Sequence, residues 1–209
     1  MIGKRQIIFL SILMCCAVNS YAQQFGGGFF AGIAASQVSG DRLSGFNKPG
    51  PHLGLFTFYN LSATSSLQLE LSFIQKGSRD NAHPDKYDFE SYLLRLNYVE
   101  MPLYFRLKAA KSFYLEAGPY FGYLMGYREQ DQYGDMPGQI EFEKADVGVA
   151  GGIHYIVNDN INVVFRGSNS VLPVREHKGG GSYRLNRGQY NSVISLTIHY
   201  FFRSESEQP

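Results

Sequence analysis

Residues 192–202, SVISLTIHYFF, alternate strictly along the chain. Ile194, Leu196, Ile198, Tyr200 and Phe202 fall on one face of an extended strand, and Val193, Ser195, Thr197, His199 and Phe201 on the other. The same two-residue period recurs upstream, giving eight predicted strands at residues 28–38, 52–61, 66–77, 91–107, 112–127, 144–157, 160–168 and 189–203. In the third, Leu67, Leu69, Leu71 and Phe73 alternate with Gln68, Glu70 and Ser72; in the seventh, Ile161, Val163 and Phe165 alternate with Asn162, Val164 and Arg166. Each is long enough for the roughly 9 to 11 residues that a tilted strand needs to cross the apolar layer of a membrane.

The connections alternate as well. Residues 61–66, 108–111 and 157–160 are short turns, whereas 39–51, 78–90, 128–143 and 169–188 are long polar loops. Short turns at one rim and long loops at the other are the pattern of an up-and-down membrane barrel, with the short turns and both termini on the periplasmic side. A soluble eight-stranded barrel would point its apolar face inward and its charged face to water. Here the more polar face carries isolated charges, Glu70, Arg95, Glu116 and Arg166, while the other is nearly uninterrupted Leu, Ile, Val, Phe and Tyr. A lipid-facing surface tolerates almost no charge and a small lumen tolerates paired ones, so the pattern favours the membrane barrel. The predicted fold is therefore all-β, an eight-stranded antiparallel up-and-down transmembrane barrel.

The N-terminus adds a place. Lys4 and Arg5 precede the apolar run 7–18 and the small-residue site ending at Ala22, which reads as a cleavable signal peptide over residues 1–22 and a barrel domain over 23–209, exported through the Sec pathway. The run is shorter than the roughly 20 residues of a spanning helix. Cys15 and Cys16 both lie within the segment expected to be lost; Met14 and Cys15 are poor matches for the small residue that precedes a lipidated cysteine. Removing 22 of 209 residues leaves 187, and losing Lys4 and Arg5 leaves 17 basic against 18 acidic side chains. That near-neutral balance gives no electrostatic case for nucleic acid. Aromatic residues at 15% with 23 glycines and no Trp fit an all-β domain.

The segment 96–107, LNYVEMPLYFRL, resembles the "YLEIPLLLKY" strand of the Bacteroidota-type outer-membrane β-barrel family, which includes the PorT-like proteins. Residues 116–124, EAGPYFGYL, and 146–152, DVGVAGG, fit the same pattern in order. The resemblance implies fold and location in the outer membrane of a Gram-negative cell. It implies no shared catalytic residues, because the family is functionally mixed. The charged tail 203–209 departs from the family's usual aromatic ending.

Candidate chemistry is sparse. Pro102 and Pro119 remove ladder donors and predict local irregularities, and pairing Lys108 with Ser112 would set Pro102 against Gly118 and Tyr104 against Glu116. The apolar face also changes parity, from Leu94, Leu96 and Tyr98 to Leu103, Phe105 and Leu107, which predicts a bulge between Val99 and Pro102. Glu70, Arg95, Glu100, Arg106, Glu116 and Arg166 are expected to form a lumen network of alternating sign that plugs the barrel, since eight strands enclose only enough space for side chains. His52, His83, His154, His177 and His199 show no metal-ligand spacing, and Gly179–Gly180–Gly181 lacks the Lys-Ser/Thr of a phosphate loop. No cofactor, metal or catalytic residue is expected. Asp80, His83, Asp85 and Asp88 share one loop and are the nearest approach to an enzymatic cluster. Tyr87, Phe89, Tyr92, Tyr127 and Tyr133 lie in or beside the long loops, where those nearest the strands suit an interfacial girdle.

These residues predict a monomeric barrel surrounded by outer-membrane lipid, inserted by the barrel-assembly machinery, with a structural role or a surface-binding role towards an extracellular ligand or protein. A loop-rim enzyme, and a narrow transporter or secretion accessory, are the competing classes.

Overall fold

The computed structural model describes residues 25–41, 43, 45–82, 89–136, 140–176 and 188–202. The expected signal peptide, loop residues 83–88 and 177–187, and the tail 203–209 lie outside them. Nine strands follow in order: β1 Phe25–Ser39, β2 Lys48–Asn60, β3 Ser65–Asp80, β4 Tyr92–Ala110, β5 Phe113–Asp131, β6 Gly134–Asp135, β7 Ala145–Asn158, β8 Ile161–Ser170 and β9 Tyr190–Phe201. Eight of them close an antiparallel barrel. Each pairs with its neighbour in the chain, and β9 returns to β1 with Gly28 opposite Phe201 and Ser39 opposite Tyr190. The two-residue β6 only extends the outer end of β5. Closure leaves β9 without a free edge, as its apolar alternation requires.

Short turns and long connections fall at opposite rims, as the sequence predicts. Two of the three turns are held by side-chain acceptors: Ser62 Oγ takes the amides of Thr64 and Ser65 at 3.2 and 3.1 Å, and Asn158 Oδ1 takes those of Asn160 and Ile161 at 3.0 and 2.9 Å. Phe25 and Phe202 both lie at this rim, and the strand ends there carry an aromatic girdle. Phe25 packs on Tyr59, Phe29 on Tyr200 and Phe202, and Phe113 on Tyr155, with ring centroids 4.8–5.9 Å apart.

The β4–β5 register differs from the expected one. Ala110 pairs with Phe113 around a two-residue turn and a shift follows at Lys108, so Arg106, not Tyr104, stands opposite Glu116, and Pro102 stands opposite Tyr120. No bulge lies between Val99 and Pro102. The ladder lapses on both sides of Pro102 and beside Pro119 without changing register, and the one shift higher up leaves Met125 of β5 as the extra residue between Leu124 and Gly126. Gly118 tolerates no side chain here, because a Cβ would sit 1.8 Å from the Leu103 carbonyl oxygen.

The change of parity in β4 has another cause. Leu94, Leu96, Tyr98, Glu100, Pro102, Tyr104 and Arg106 all point inward in unbroken alternation. Outward lie Arg95 and Asn97, and then Met101, Leu103, Phe105 and Leu107. β4 has 19 residues, about twice the roughly 9 to 11 needed to span. Its lower half has a lipid-facing apolar exterior and a polar interior. Its upper half leaves the apolar layer, so water lies outside and the interior becomes apolar. Leu94, Leu96 and Tyr98 join Ala34, Val38, Ile74, Leu124, Phe142, Val174 and Val193 in one buried cluster at the long-loop end.

Candidate functional site

The interior is built from inward positions of all eight barrel strands. At the short-turn end Phe30, Phe56, Phe58 and Phe201 form an aromatic floor. Above it Arg166 of β8 is gripped from two sides. Its Nη1 and Nη2 donate to Glu70 Oε2 and Oε1 of β3 at 2.8 and 2.7 Å, and its Nε donates to Glu116 Oε1 of β5, with Nη2 also reaching Glu116 Oε2 at 3.2 Å. Glu116 Oε2 lies 2.5 Å from His154 Nε2 of β7. Gln68 Nε2 donates to Glu70 at 2.5 Å, and Arg106 Nη1 donates to Gln68 Oε1 at 3.0 Å. The guanidinium faces are covered too, Arg166 by the Tyr104 ring at 4.4 Å and Arg106 by the Tyr114 ring at 4.8 Å.

A second cluster sits nearer the long loops. Lys76 Nζ lies 2.5 Å from Glu100 and 2.8 Å from Asp146, above the rings of Tyr120 and Tyr98. Asp146 also accepts from Ser170 Oγ at 2.7 Å, Asn191 Nδ2 at 2.8 Å and the Tyr120 hydroxyl at 3.3 Å. Every charged group of the two clusters is at most 6% exposed. Such charges hold only when paired and hydrogen-bonded, and here they bridge strands on opposite sides of the wall. His199 stacks on Phe30 with centroids 4.6 Å apart and fills the space between the floor and the ionic layer.

Five of the six residues expected in the lumen network are therefore inside: Glu70, Glu100, Arg106, Glu116 and Arg166. Arg95 is not. Placing a bulge between it and Arg106 had turned its face inward; with the alternation of β4 unbroken, its odd number puts it on the exposed outer wall. Lys76, Asp146 and His154 complete the clusters and were missed. Parity could have found them: Lys76 shares its face with Glu70 on β3, and His154 shares its face with Asp146 on β7.

Above the apolar cluster the barrel opens into a cup of about 540 Å³. A third buried pair forms its base: Arg175 Nη1 and Nη2 reach Glu129 Oε1 and Oε2 at 3.1 and 2.5 Å, the Tyr92 hydroxyl donates to Glu129 at 2.6 Å, and the Phe142 ring lies 4.2 Å from the guanidinium. Asp41, Asp80, Glu90, Asp131 and Glu176 line the walls with Glu129, six carboxylates against one arginine among the described residues. Burial raises the Asp41 carboxyl above its usual range, while the Ser78 hydroxyl and the Leu43 amide pull it down and the nearby Glu129 adds to the rise.

Of the loop cluster expected around Asp80, only Asp80 is among the described residues, and it faces this cup. Phe89 and Tyr133 are exposed. Tyr92 and Tyr127 do not form a girdle; they turn towards the apolar cluster, Tyr127 packing against Phe142 at 5.1 Å.

A family model described as "Outer membrane protein beta-barrel domain" matches residues 21–174. No curated protein matches the sequence. Among solved structures the fold is similar to that of Neisserial surface protein A (TM-score 0.51, 12% identity, 83% of this chain and 96% of that one). Other similar structures are Ail of Yersinia pestis, in complex with the heparin analogue sucrose octasulfate (0.49, 13%, 86% and 99%), and OprG of Pseudomonas aeruginosa (0.40, 12%, 86% and 95%).

Proposed function

Because the chain belongs to the outer membrane protein β-barrel domain family and so resides in the outer membrane, we propose that it acts as a small non-conducting barrel that presents its extracellular cup as a binding surface. The observation that carries this reading is the stacking of four closures in one lumen: an aromatic floor, two ionic layers and an apolar cap. A solute would have to break several buried ion pairs to pass, each costly to separate. Transport is thereby disfavoured. A loop-rim enzyme is disfavoured too, since the His154–Glu116 pair, the carboxylate–imidazole contact nearest to a general base, is fully buried beneath the cap.

The cup remains as the concave surface that faces the outside. Its described lining is acidic, so Coulomb attraction favours a positively charged group on the ligand, such as a basic segment of an extracellular protein. In the same reading the chain is a monomer, exported through the Sec pathway after loss of residues 1–22 and inserted by the barrel-assembly machinery. Its finer kinship is PorT-like, on the strength of the 96–107 strand. The full chain reconstituted in planar bilayers is expected to give no single-channel steps, and cells displaying it to bind a lysine-rich peptide that a D80N/D131N variant binds more weakly. Stable conductance steps, or equal binding by the variant, would overturn the reading.

A further inference from the structure

The outer wall carries a second charged surface, opposite in sign to the cup and separate from it. Lys48 at the start of β2, Arg79 near the end of β3 and Arg95 of β4 surround a shallow recess of about 260 Å³, completed by Pro49, Gln75 and Leu93. Among the described residues no carboxylate lines it. Among the described residues none of these three cations is in an ion pair: Lys48 Nζ donates to the Pro49 carbonyl at 2.7 Å and to Gln75 Oε1 at 2.8 Å, Arg79 Nε donates to Asn81 Oδ1 at 2.7 Å, and Arg95 makes no hydrogen bond. The buried cations Lys76, Arg166 and Arg175 are each paired with carboxylates, whereas these three have neutral partners or none, so folding alone does not account for this concentration of positive charge.

The strand register adds an independent observation. Arg95 stands directly opposite Arg128 of β5. Like charges in facing positions destabilise a sheet. Arg128 is relieved by Asp135, which it holds through two hydrogen bonds of 2.8 and 3.1 Å, but Arg95 is not. The height of the recess is as informative as its charge. Arg95 pairs with Gly77 and Asn97 with Gln75, the two rows immediately above Val99 and Phe73, where the apolar exterior of β3 and β4 begins. Anionic headgroups of the outer leaflet lie at that level, just outside the hydrocarbon.

We propose that Lys48, Arg79 and Arg95 form a docking site on the barrel's outer wall for the phosphate of an outer-leaflet glycolipid. Arg79 and Arg95 offer planar forks suited to phosphate oxygens, and Lys48, only 3% exposed, adds a positive charge from the buried side of the recess. A bound phosphate would also relieve the repulsion between Arg95 and Arg128. The site rests on the outer-membrane location alone and is independent of the cup: a protein without extracellular ligands could still have it.

The test uses the full chain in phosphatidylcholine nanodiscs titrated with a diphosphorylated lipid A, with its dephosphorylated form, and with inorganic phosphate. Binding of the phosphorylated lipid is expected to weaken about fivefold for each of K48Q, R79Q and R95Q and about a hundredfold for the triple variant. R128Q, which removes a cation already paired with Asp135, should change it less than twofold. Retention of the heat-modifiable gel shift shows that each variant is folded. Equal binding by the triple variant, equal binding of the dephosphorylated lipid, or full competition by millimolar inorganic phosphate would each overturn the proposal.

Discussion

The two halves of β4 follow opposite rules. Between Glu100 and Arg106 the inward residues are Glu100, Pro102, Tyr104 and Arg106, all but the proline polar, and the outward ones are Met101, Leu103 and Phe105; between Leu94 and Tyr98 the inward residues are apolar and the outward ones are Arg95 and Asn97. The pleat of β4 alternates without interruption between them, the extra residue at this level, Met125, belonging to β5. What changes is the solvent. Against hydrocarbon the exterior supplies no hydrophobic driving force, and the interior is held together by ion pairs and hydrogen bonds; against water the interior can be an ordinary apolar core. One continuous strand thus contributes to two kinds of protein interior, and the boundary lies near Val99.

Substitutions can break this contrast. The largest effect is expected in the membrane half: Glu116→Leu leaves His154 without its partner and Arg166 with only Glu70, and should cost about 3–5 kcal/mol of stability, as for other broken buried ion pairs. Urea unfolding in lipid vesicles would measure it, and bilayer conductance should stay absent because the floor and cap remain. In the upper half Leu96→Ala should cost about 2–4 kcal/mol through the cavity it leaves among Leu94, Ile74 and Leu124, read from the same unfolding curves. On the outer wall Phe105→Arg should cost about 2–4 kcal/mol, whereas Leu93→Arg, three rows above the start of the apolar exterior, should cost at most about 1 kcal/mol. Equal penalties at 93 and 105 would remove the distinction between the halves. The smallest effect concerns the cup: deleting residues 81–90 should leave the heat-modifiable shift intact while abolishing ligand binding to whole cells, because Glu90 is exposed and lines the cup, outside the packed interior.

The barrel itself was legible in the chain because lipid imposes a strict two-residue period, and the strands, turn lengths and closure of β9 on β1 follow from it. The faces of β9 were legible for the same reason: Leu196, Ile198 and Tyr200 are exposed to lipid and Thr197, His199 and Phe201 are buried. The upper half of β4 was not. Its apolar residues have the parity of the lumen, and a rule written for one solvent reads that as a bulge. Arg95 was misplaced by that reading, while Glu100 and Arg106, below the boundary, were placed correctly. Lys76, Asp146 and His154 were hidden for a different reason. A charge on a strand has the same letter whether it meets water or a partner across the lumen, and the partner, such as Asp146 for Lys76, comes from a strand 70 residues away. The acidic cup is likewise assembled from four separated segments.

The most direct test is a scan of single cysteines along β4, practical because residues 23–209 contain none. Spin labels at 93, 95, 97, 101, 103, 105 and 107 would be examined in lipid vesicles for collisions with oxygen, which concentrates in hydrocarbon, and with a water-soluble nickel chelate. The account predicts oxygen-dominated relaxation from 101 to 107, a crossover near Asn97, and nickel-dominated relaxation at 93 and 95. Oxygen-dominated relaxation continuing through 95 and 93 would contradict it, because the apolar residues Leu94 and Leu96 would then lie inside a barrel still surrounded by lipid.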